Sequence, residues 1–213
     1  MARLFLVRHG QTAWNAEQRA QGHRDIELDE VGREQARHVA RALSTESIDW
    51  VQCSDLKRAK VTAHEIAELA GLTPIENPLL RERSFGKLEG CEFHEVRRVL
   101  SAATEASGLD EEFVPAPDGE SSHDVWQRME RVKHRLIEEV GNGVVVGHGG
   151  ALAMLMAHML RAGIQTARSF RLHNASITEF TRRGADHWVL TRYNDTAHLP
   201  ALGPAMMDVN HAK

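Results

Sequence analysis

The sequence has few cysteines, no marked excess of charge of either sign and no long uninterrupted apolar run. Its two cysteines, Cys53 and Cys91, are too few for a disulfide framework and predict free thiols in a reducing compartment. The 26 basic and 30 acidic residues leave a net charge of -4, which gives no overall attraction to nucleic acid or to an anionic membrane. The best apolar stretch, Ala151 to Leu160, is too short to span a bilayer, and the N-terminus lacks the apolar segment of a signal peptide. We therefore expect a cytoplasmic protein with no nucleic-acid or membrane partner.

Metal-binding motifs are also missing, although the chain contains 13 histidines. No His-Glu-x-x-His and no Cys-x-x-Cys segment occurs, and a zinc site needs three or four converging ligands at a recognisable spacing. We therefore expect no metal site and no cofactor.

Short apolar runs alternate with amphipathic helical patterns along the 213 residues. Strands are predicted over Leu4–Val7, Ile48–Cys53 and Val144–Val146, and helices over Asp29–Leu43, Asp55–Ala70 and Ser122–Val140. Two late strands, Thr178–Thr181 and Trp188–Tyr193, flank a polar turn. Alternating strands and helices are typical of βαβ units. The pattern predicts an α/β fold, a three-layer α/β/α sandwich around a mostly parallel sheet.

Capping residues and apolar spacing give finer expectations for two of these helices. Residues of the first helix that recur at helical spacing are expected to face the core: Val31, Ala36, Val39, Ala40 and Leu43. Ser54-Asp55 is expected to cap the N-terminus of the second helix, and Gly71 to end it. Arg58 then lies in the first turn of that helix, shortly after a strand.

We expect a single domain over residues 1–213, with one insertion and one irregular tail. The helical pattern weakens at about residues 74–120, where turn signals surround one expected helix near Glu92–Ala106. This insertion is predicted to form a flap over the carboxyl ends of the strands. From about residue 196 to residue 213 the chain has no apolar periodicity, which predicts a surface loop or a disordered tail.

Two histidines follow directly after predicted buried strands. Arg8-His9-Gly10 follows the run that ends at Val7, and His148-Gly149-Gly150 follows Val144–Val146. Ligands of open α/β sheets bind at the carboxyl ends of the strands. Either histidine alone could be a core or surface residue with satisfied nitrogens, but together they predict a ligand site. The two glycines would let backbone amides approach an oxyanion.

The residue types at these positions suit chemistry on a phosphoryl group. Arg8 and Arg58 can each donate two hydrogen bonds to phosphate oxygens through a planar guanidinium, and His148 adds a further donor. A neutral nitrogen of His9 can attack phosphorus and form a covalent phosphohistidine. Glu82, in the flap, can protonate the leaving oxygen if partial burial or nearby negative charge raises the pKa of its carboxyl group. Taken singly, Arg58 and Glu82 could equally be exposed surface residues.

Further motifs accompany these residues in a fixed order. They are Leu6-Val7-Arg8-His9-Gly10-Gln11-Thr12-Ala13-Trp14-Asn15, Gln21-Gly22 with Asp25 and Leu28, Gly32 with Gln35-Ala36, Ser54-Asp55-Leu56-Lys57-Arg58-Ala59, Glu82 with Gly86 and Glu89-Gly90, Gly119-Glu120-Ser121, and Val146-Gly147-His148-Gly149-Gly150. Over about Arg3 to Asn194 this order resembles the histidine phosphatase superfamily, the phosphoglycerate mutase-like group. The resemblance implies the phosphoglycerate mutase-like fold.

The resemblance also implies roles for individual residues. His9 would be phosphorylated, Arg8, Arg58 and His148 would bind the phosphoryl group, and Glu82 would donate the proton. Further substrate-binding positions would be Asn15, Gln21, Gly22, Arg83, Phe85, Gly149 and Asn174.

Phosphatases and mutases of this superfamily share the phosphohistidine and differ in what accepts the phosphoryl group from it. Glu82-Arg83-Ser84-Phe85-Gly86 is similar to the mutase segment, whereas the short flap, His148-Gly149-Gly150 and Gly119-Glu120-Ser121 are typical of phosphatase branches. We therefore expect a metal-independent phosphomonoesterase acting on a small phosphorylated metabolite. The alternatives are a 2,3-bisphosphoglycerate-dependent phosphoglycerate mutase and a catalytically weak binding module, although no catalytic residue is missing. A homodimer is left open.

Overall fold

A computed structural model describes residues 2–184 and 186–200. Within these ranges the strands are β1 Arg3–Arg8, β2 Trp50–Cys53, β3 Ile75–Glu76, β4 Gly143–Gly147, β5 Ile177–Gly184 and β6 His187–Asp195. The α-helices are α1 Ala13–Ala16, α2 Glu30–Leu43, α3 Lys57–Ala70, α4 Phe93–Ser107, α5 Ser122–Glu138, α6 Gly149–Met159 and α7 Ile164–Ala167. Short 3-10 turns lie at Pro78–Leu80, Gly86–Leu88 and Glu111–Phe113.

The six strands form one mixed sheet in the order β3-β2-β4-β1-β5-β6. The pairs among β1 to β4 are parallel, and β5 runs antiparallel to both β1 and β6. In the register of β1 and β4, Arg8 lies opposite Gly147. His9 and His148 therefore leave neighbouring strands at the same level, a register that goes beyond the prediction that each follows the end of a strand.

Apolar side chains alternate along the central strands and supply a core on each face of the sheet. Leu4 and Leu6 of β1 pack with apolar residues of α5 and α6. Phe5 and Val7 point to the opposite face and pack with residues of α2 and α3. Helices thus cover both faces, and the predicted three-layer α/β/α sandwich with a mostly parallel sheet is confirmed.

Two local predictions about the helices are wrong. Val31 is 42% exposed, because the buried stripe of α2 runs through Gly32, Ala36, Val39 and Leu43, one residue further along the helix. The N-cap of α3 is Leu56, which makes no side-chain capping bond. Asp55 is not free to cap this helix, because its carboxylate oxygens accept from Arg81 at 2.8 and 2.5 Å. The prediction for Gly71 is confirmed, since it ends α3 in the left-handed conformation with φ of 68°.

We call residues 77–121, which connect β3 to α5, the flap. They cover most of the segment predicted as one, at about residues 74–120. The insertion begins later than expected, because Ile75–Glu76 pair with β2 as an edge strand. α4 lies within one residue of the helix predicted there at each end. Leu88, Val96 and Ala116 are buried with Ala20 in a small core of their own. This core anchors the segment to the loop that follows α1.

The chain continues past β6, and Leu199 is buried against the core formed with α2 and α3. The part of the predicted tail beyond residue 200 lies outside the described residues. Among the helices that the structure describes, none is long and apolar enough to cross a membrane.

Candidate active site

A cavity of about 270 Å³ opens where β1 and β4 end. Most predicted site residues line it: Arg8, His9, Asn15, Gln21, Gly22, Arg58, Glu82, Arg83, Phe85, His148 and Gly149. These residues come from β1 and the loop after it, α1 and the loop after it, α3, the flap and the start of α6. The fold therefore brings together side chains that are up to 141 positions apart in sequence, from Arg8 to Gly149.

His9 is 3% exposed, and a backbone carbonyl fixes its tautomer. Nδ1 of the ring lies 2.7 Å from the carbonyl oxygen of Gly10. A carbonyl only accepts, so Nδ1 carries the proton and Nε2 has the free lone pair. Burial, followed by the charges of Arg58 and Arg8, lowers the pKa of His9 well below its ordinary value. The imidazole is therefore neutral at neutral pH, as nucleophilic attack requires.

His148 has the opposite tautomer. Arg58 Nε donates to His148 Nδ1 at 3.2 Å, so the proton of the neutral ring is on Nε2. Nε2 is buried, and it has no hydrogen-bond partner among the described residues. Burial, followed by the charge of Arg58, lowers the pKa of His148 well below its ordinary value. The rings of His9 and His148 meet edge to face with centroids 5.1 Å apart, so an N–H donor lies beside a ring nitrogen with a free lone pair.

Arg58 is 1% exposed, and hydrogen bonds hold its guanidinium on several sides. Besides the bond to His148, Nη1 donates to the carbonyl of Arg24 at 2.7 Å and Nη2 to the carbonyl of Gly22 at 2.8 Å. Burial lowers the pKa of Arg58 to about 10, so it stays charged at neutral pH. Gly22 has φ of +52°, and a Cβ there would lie 2.9 Å from the backbone nitrogen of Phe85, which cannot move away as a flexible side chain can. Only glycine fits this position. The glycine thus places the backbone carbonyl that accepts from Arg58 and orients its guanidinium.

Asn174 lies behind the cavity and does not line it, in contrast to the prediction. Its Nδ2 donates to the carbonyl of His9 at 3.0 Å and lies 3.2 Å from Asn15 Oδ1. Because these groups use its amide donors, Asn174 positions the loop after β1. On the other wall, Arg8 Nη1 donates to the carbonyl of Leu172 at 2.5 Å.

Glu82 reaches from the flap to the N-terminus of α6. Its Oε2 accepts from the backbone amide of Gly150 at 2.9 Å. Its Oε1 accepts from the backbone amides of Ala151 at 3.1 Å and Arg83 at 2.9 Å. His148, at the N-cap of α6, makes no side-chain capping bond. Glu82 thus caps this helix from a distant segment. The Gly150 amide, which the sequence suggests for an oxyanion, is bonded to Glu82.

Arg83 and Gln21 line the cavity but also hold its walls in place. Arg83 Nε donates to the carbonyl of Glu120 at 2.8 Å, and its guanidinium lies 5.5 Å from the centroid of the Phe85 ring. Burial lowers the pKa of Arg83. Gln21 Oε1 accepts from the hydroxyl of Thr12 at 3.0 Å. These bonds tie the flap and the loop after α1 to the rest of the site.

Arg128 of α5 supports the flap and was missed by sequence reasoning. It is 6% exposed, and it donates to three flap carbonyls, including that of Glu82 at 2.9 Å. Its Nε also pairs with Glu120 Oε1 at 3.0 Å. A signal was present in the sequence, since Arg128 falls on the apolar stripe of α5 with Val125 and Met129. A charged residue on such a stripe needs buried partners.

The cavity lining also includes apolar side chains that were not predicted to belong to the site. They include Phe93, Phe170, Met154 and Val125, and the rings of Phe85 and Phe93 meet edge to face with centroids 6.0 Å apart. Across residues 2–184 and 186–200 there is no group of three or more His, Cys, Asp or Glu able to hold a metal ion.

The histidine phosphatase superfamily (branch 1) matches residues 4–196. The chain belongs to this superfamily. Among curated relatives, phosphoglycerate mutase-like protein 4 of Arabidopsis thaliana is 35% identical over 207 residues, which cover 95% of this chain and 89% of the relative. The probable phosphoglycerate mutase GpmB of Yersinia pestis is 34% identical over 217 residues, which cover 95% of this chain and 98% of the relative.

Solved structures of similar fold include named phosphatases. A mycobacterial glucosyl-3-phosphoglycerate phosphatase is 30% identical, with a TM-score of 0.80 and coverage of 92% of this chain and 100% of that one. Phosphoserine phosphatase of Entamoeba histolytica, solved with 3-phosphoglyceric acid, is 32% identical, with a TM-score of 0.81 and coverage of 94% and 100%. With the family match, these neighbours confirm the predicted enzyme class, a phosphoric monoester hydrolase.

Proposed function

We propose that this histidine phosphatase hydrolyses a small phosphorylated metabolite through a phosphohistidine on His9, without a metal ion. The observation that carries the proposal is the orientation of the His9 ring. Nδ1 donates to the Gly10 carbonyl at 2.7 Å, which leaves the Nε2 lone pair for phosphorus. Arg8, Arg58 and His148 line the same cavity and supply the positive charge and donors that a phosphoryl group needs.

In the first step His9 Nε2 attacks phosphorus and a P–N bond forms. The P–O bond to the leaving group breaks, and its electron pair stays on the departing oxygen. Glu82, as the carboxylic acid, gives that oxygen a proton and becomes a carboxylate. Arg8, Arg58 and the Nε2–H of His148 donate to the phosphoryl oxygens as charge redistributes.

In the second step water attacks the phosphohistidine. Glu82, now a carboxylate, takes the proton of the attacking water, and the P–N bond breaks with its electron pair returning to His9 Nε2. Inorganic phosphate leaves, and both His9 and Glu82 regain their starting protonation. The bond from Nδ1 to the Gly10 carbonyl is kept throughout, so the ring needs no reorientation between the steps.

The names of the relatives support two acceptors for the phosphoryl group. The curated relatives are named phosphoglycerate mutase or mutase-like, whereas the solved neighbours are named phosphatases. His148-Gly149-Gly150 and the short flap favour water as the acceptor. We therefore propose the phosphatase, and the mutase is the second candidate.

The test is to follow free phosphate and isomerisation in the same reactions. A panel of metabolite phosphates is supplied, and 3-phosphoglycerate is tested with catalytic 2,3-bisphosphoglycerate. We expect phosphate release from at least one compound and little isomerisation. Fast isomerisation with little phosphate would identify the mutase, and no turnover of any compound would favour the binding module.

His9→Ala should abolish turnover and the trapped acid-labile phosphoenzyme while the circular dichroism spectrum is unchanged. Substantial turnover by this variant would remove His9 as the nucleophile. The wild-type enzyme is also assayed with a chelator, and we expect no loss of rate. Loss of turnover that one added metal restores would contradict the metal-independent mechanism.

A further inference from the structure

The cavity has far more positive charge than one phosphoryl group needs. Its lining includes six arginines, Arg8, Arg19, Arg58, Arg83, Arg168 and Arg171, but only one carboxylate, that of Glu82. Arg8 and Arg58 lie at the phosphoryl end with His9. The other four lie along a cavity whose remaining lining is largely apolar.

Three of these four arginines already pair with a carboxylate or donate to backbone carbonyls. Arg19 pairs with Glu17 at 2.7 Å and Arg168 with Glu111 at 2.8 Å. Arg83 is bonded to the flap backbone, as described above. Within residues 2–184 and 186–200, Arg171 forms no ion pair with a carboxylate, and its side chain bonds only through Nη1, to the backbone carbonyls of Arg168 and Phe170. Arg171 therefore keeps Nε and Nη2 as charged donors.

The backbone of Arg171 is fixed on both sides by one side chain. The hydroxyl of Tyr193 accepts from the amide of Arg171 at 2.6 Å and donates to its carbonyl at 2.8 Å. The next residue, Leu172, supplies the carbonyl that accepts from Arg8 at 2.5 Å. The position of Arg171 is thus tied to that of the arginine at the phosphoryl end.

We propose that Arg171 forms a second anion-binding subsite, and that the substrate is a phosphomonoester whose leaving group has an apolar body ending in a second anionic group. This inference rests on the proposed phosphatase activity and adds the chemical class of the leaving group. Phe93, Phe170 and Met154 contact the apolar body, and the guanidinium of Arg171 donates to the terminal anion. An ester with an uncharged leaving group leaves Arg171 unused.

The test compares phenyl phosphate with its meta- and para-carboxy derivatives. We expect the wild-type enzyme to hydrolyse at least one carboxy derivative with a kcat/KM about tenfold above that of phenyl phosphate, as a charge-assisted hydrogen bond provides. Arg171→Gln should lose this preference and keep its kcat/KM on phenyl phosphate. Arg171→Lys should retain part of it, since the charge remains without the planar donors. Arg33→Gln, on the exposed face of α2, is the matched control and should behave as wild type.

The outcomes separate the two proposals. No phosphate release from the three esters or from the metabolite panel would overturn the phosphatase itself, and release from the metabolite panel alone would overturn the second subsite. Release from phenyl phosphate without a preference for a carboxy derivative would overturn the second subsite and leave the phosphatase standing. A preference that persists in Arg171→Gln, or an equal loss on all three esters, would also overturn the assignment to Arg171.

Discussion

The two buried histidines of the site differ by the position of one proton. A neutral imidazole has one donor and one acceptor nitrogen. His9 uses its donor on the Gly10 carbonyl, whereas His148 uses its acceptor on Arg58 Nε. His9 therefore presents a lone pair to the cavity, and His148 presents an N–H donor. This division suits attack on phosphorus next to an oxygen that needs a hydrogen bond.

At the same scale, Glu82 provides the sharpest test of a single side chain. Glu82→Gln cannot donate the proton to the leaving oxygen. We expect its kcat on an alkyl phosphate to fall about a hundredfold to ten-thousandfold, because an alkoxide leaves poorly without general acid catalysis. On an activated aryl phosphate the loss should be much smaller, since that oxygen leaves without a proton. Steady-state assays of the two esters measure the difference.

The matched control is Glu34→Gln, because Glu34 lies on α2 and pairs with Arg37 at the surface. It should leave the rates on both esters as in the wild type. Equal losses on the alkyl and the aryl phosphate in Glu82→Gln would show that Glu82 acts in binding or folding and not as the acid.

At the scale of elements, what could be predicted depended on whether the interaction is local. The buried strands and the end of α3 at Gly71 follow from neighbouring residues, so the sequence predicts them well. The start of α3 does not, because Asp55 bonds to Arg81 instead of capping the helix. Arg128 was missed for the same reason, since its partners are flap carbonyls. The order of motifs predicted which side chains meet in the cavity, but the tautomers of the two histidines and the residues that hold the site in place became visible only in the tertiary structure.

The junction between the flap and α6 depends on a glycine. A Cβ at Gly150 would lie 2.6 Å from Glu82 Oε1, and the end of a flexible side chain can move away. Gly150→Ala should therefore fold normally but displace the acid. We expect kcat on an alkyl phosphate to fall about a hundredfold, as displacement of a reacting group by roughly 1 Å can cause. The activated aryl phosphate should be largely spared.

Gly163→Ala is the matched control for this change. Gly163 precedes α7, and a Cβ there would meet nothing within 4 Å, so kcat should not change. Thermal melts of both variants check the fold. If Gly150→Ala hydrolysed the alkyl phosphate at the wild-type rate, the carboxylate would not need its observed position.

At the scale of the whole molecule, the sheet order places distant segments around one cavity. β1 and β4 are neighbours although they are far apart in sequence, and their register sets His9 beside His148. The site is therefore assembled only when the central sheet is complete. The same arrangement buries both imidazoles, at 3% and 1% exposure, among arginines, which links the site to the stability of the fold.

This burial predicts that the protein loses stability in mild acid. The pKa values of His9 and His148 are well below the ordinary value in the folded state and return to about 6.5 on unfolding. Below about pH 6.5 the unfolded chain therefore binds protons that the folded chain does not. The free energy of unfolding should fall by up to about 1.4 kcal/mol per pH unit for each of the two histidines. The loss should continue until the pH reaches their folded-state pKa values.

Urea unfolding between about pH 8 and pH 5 measures this slope, because the unfolded-state pKa of about 6.5 lies inside that window. The matched protein is a double variant, His9→Asn with His148→Gln, which keeps polar side chains of similar size but cannot be protonated. Its unfolding free energy should depend less steeply on pH below about 6.5 than that of the wild type. Asp55 and Asp124 also have lowered pKa values, but both proteins retain them, so they cancel in the comparison. Equal slopes in the two proteins would show that the buried histidines are not held neutral by the fold.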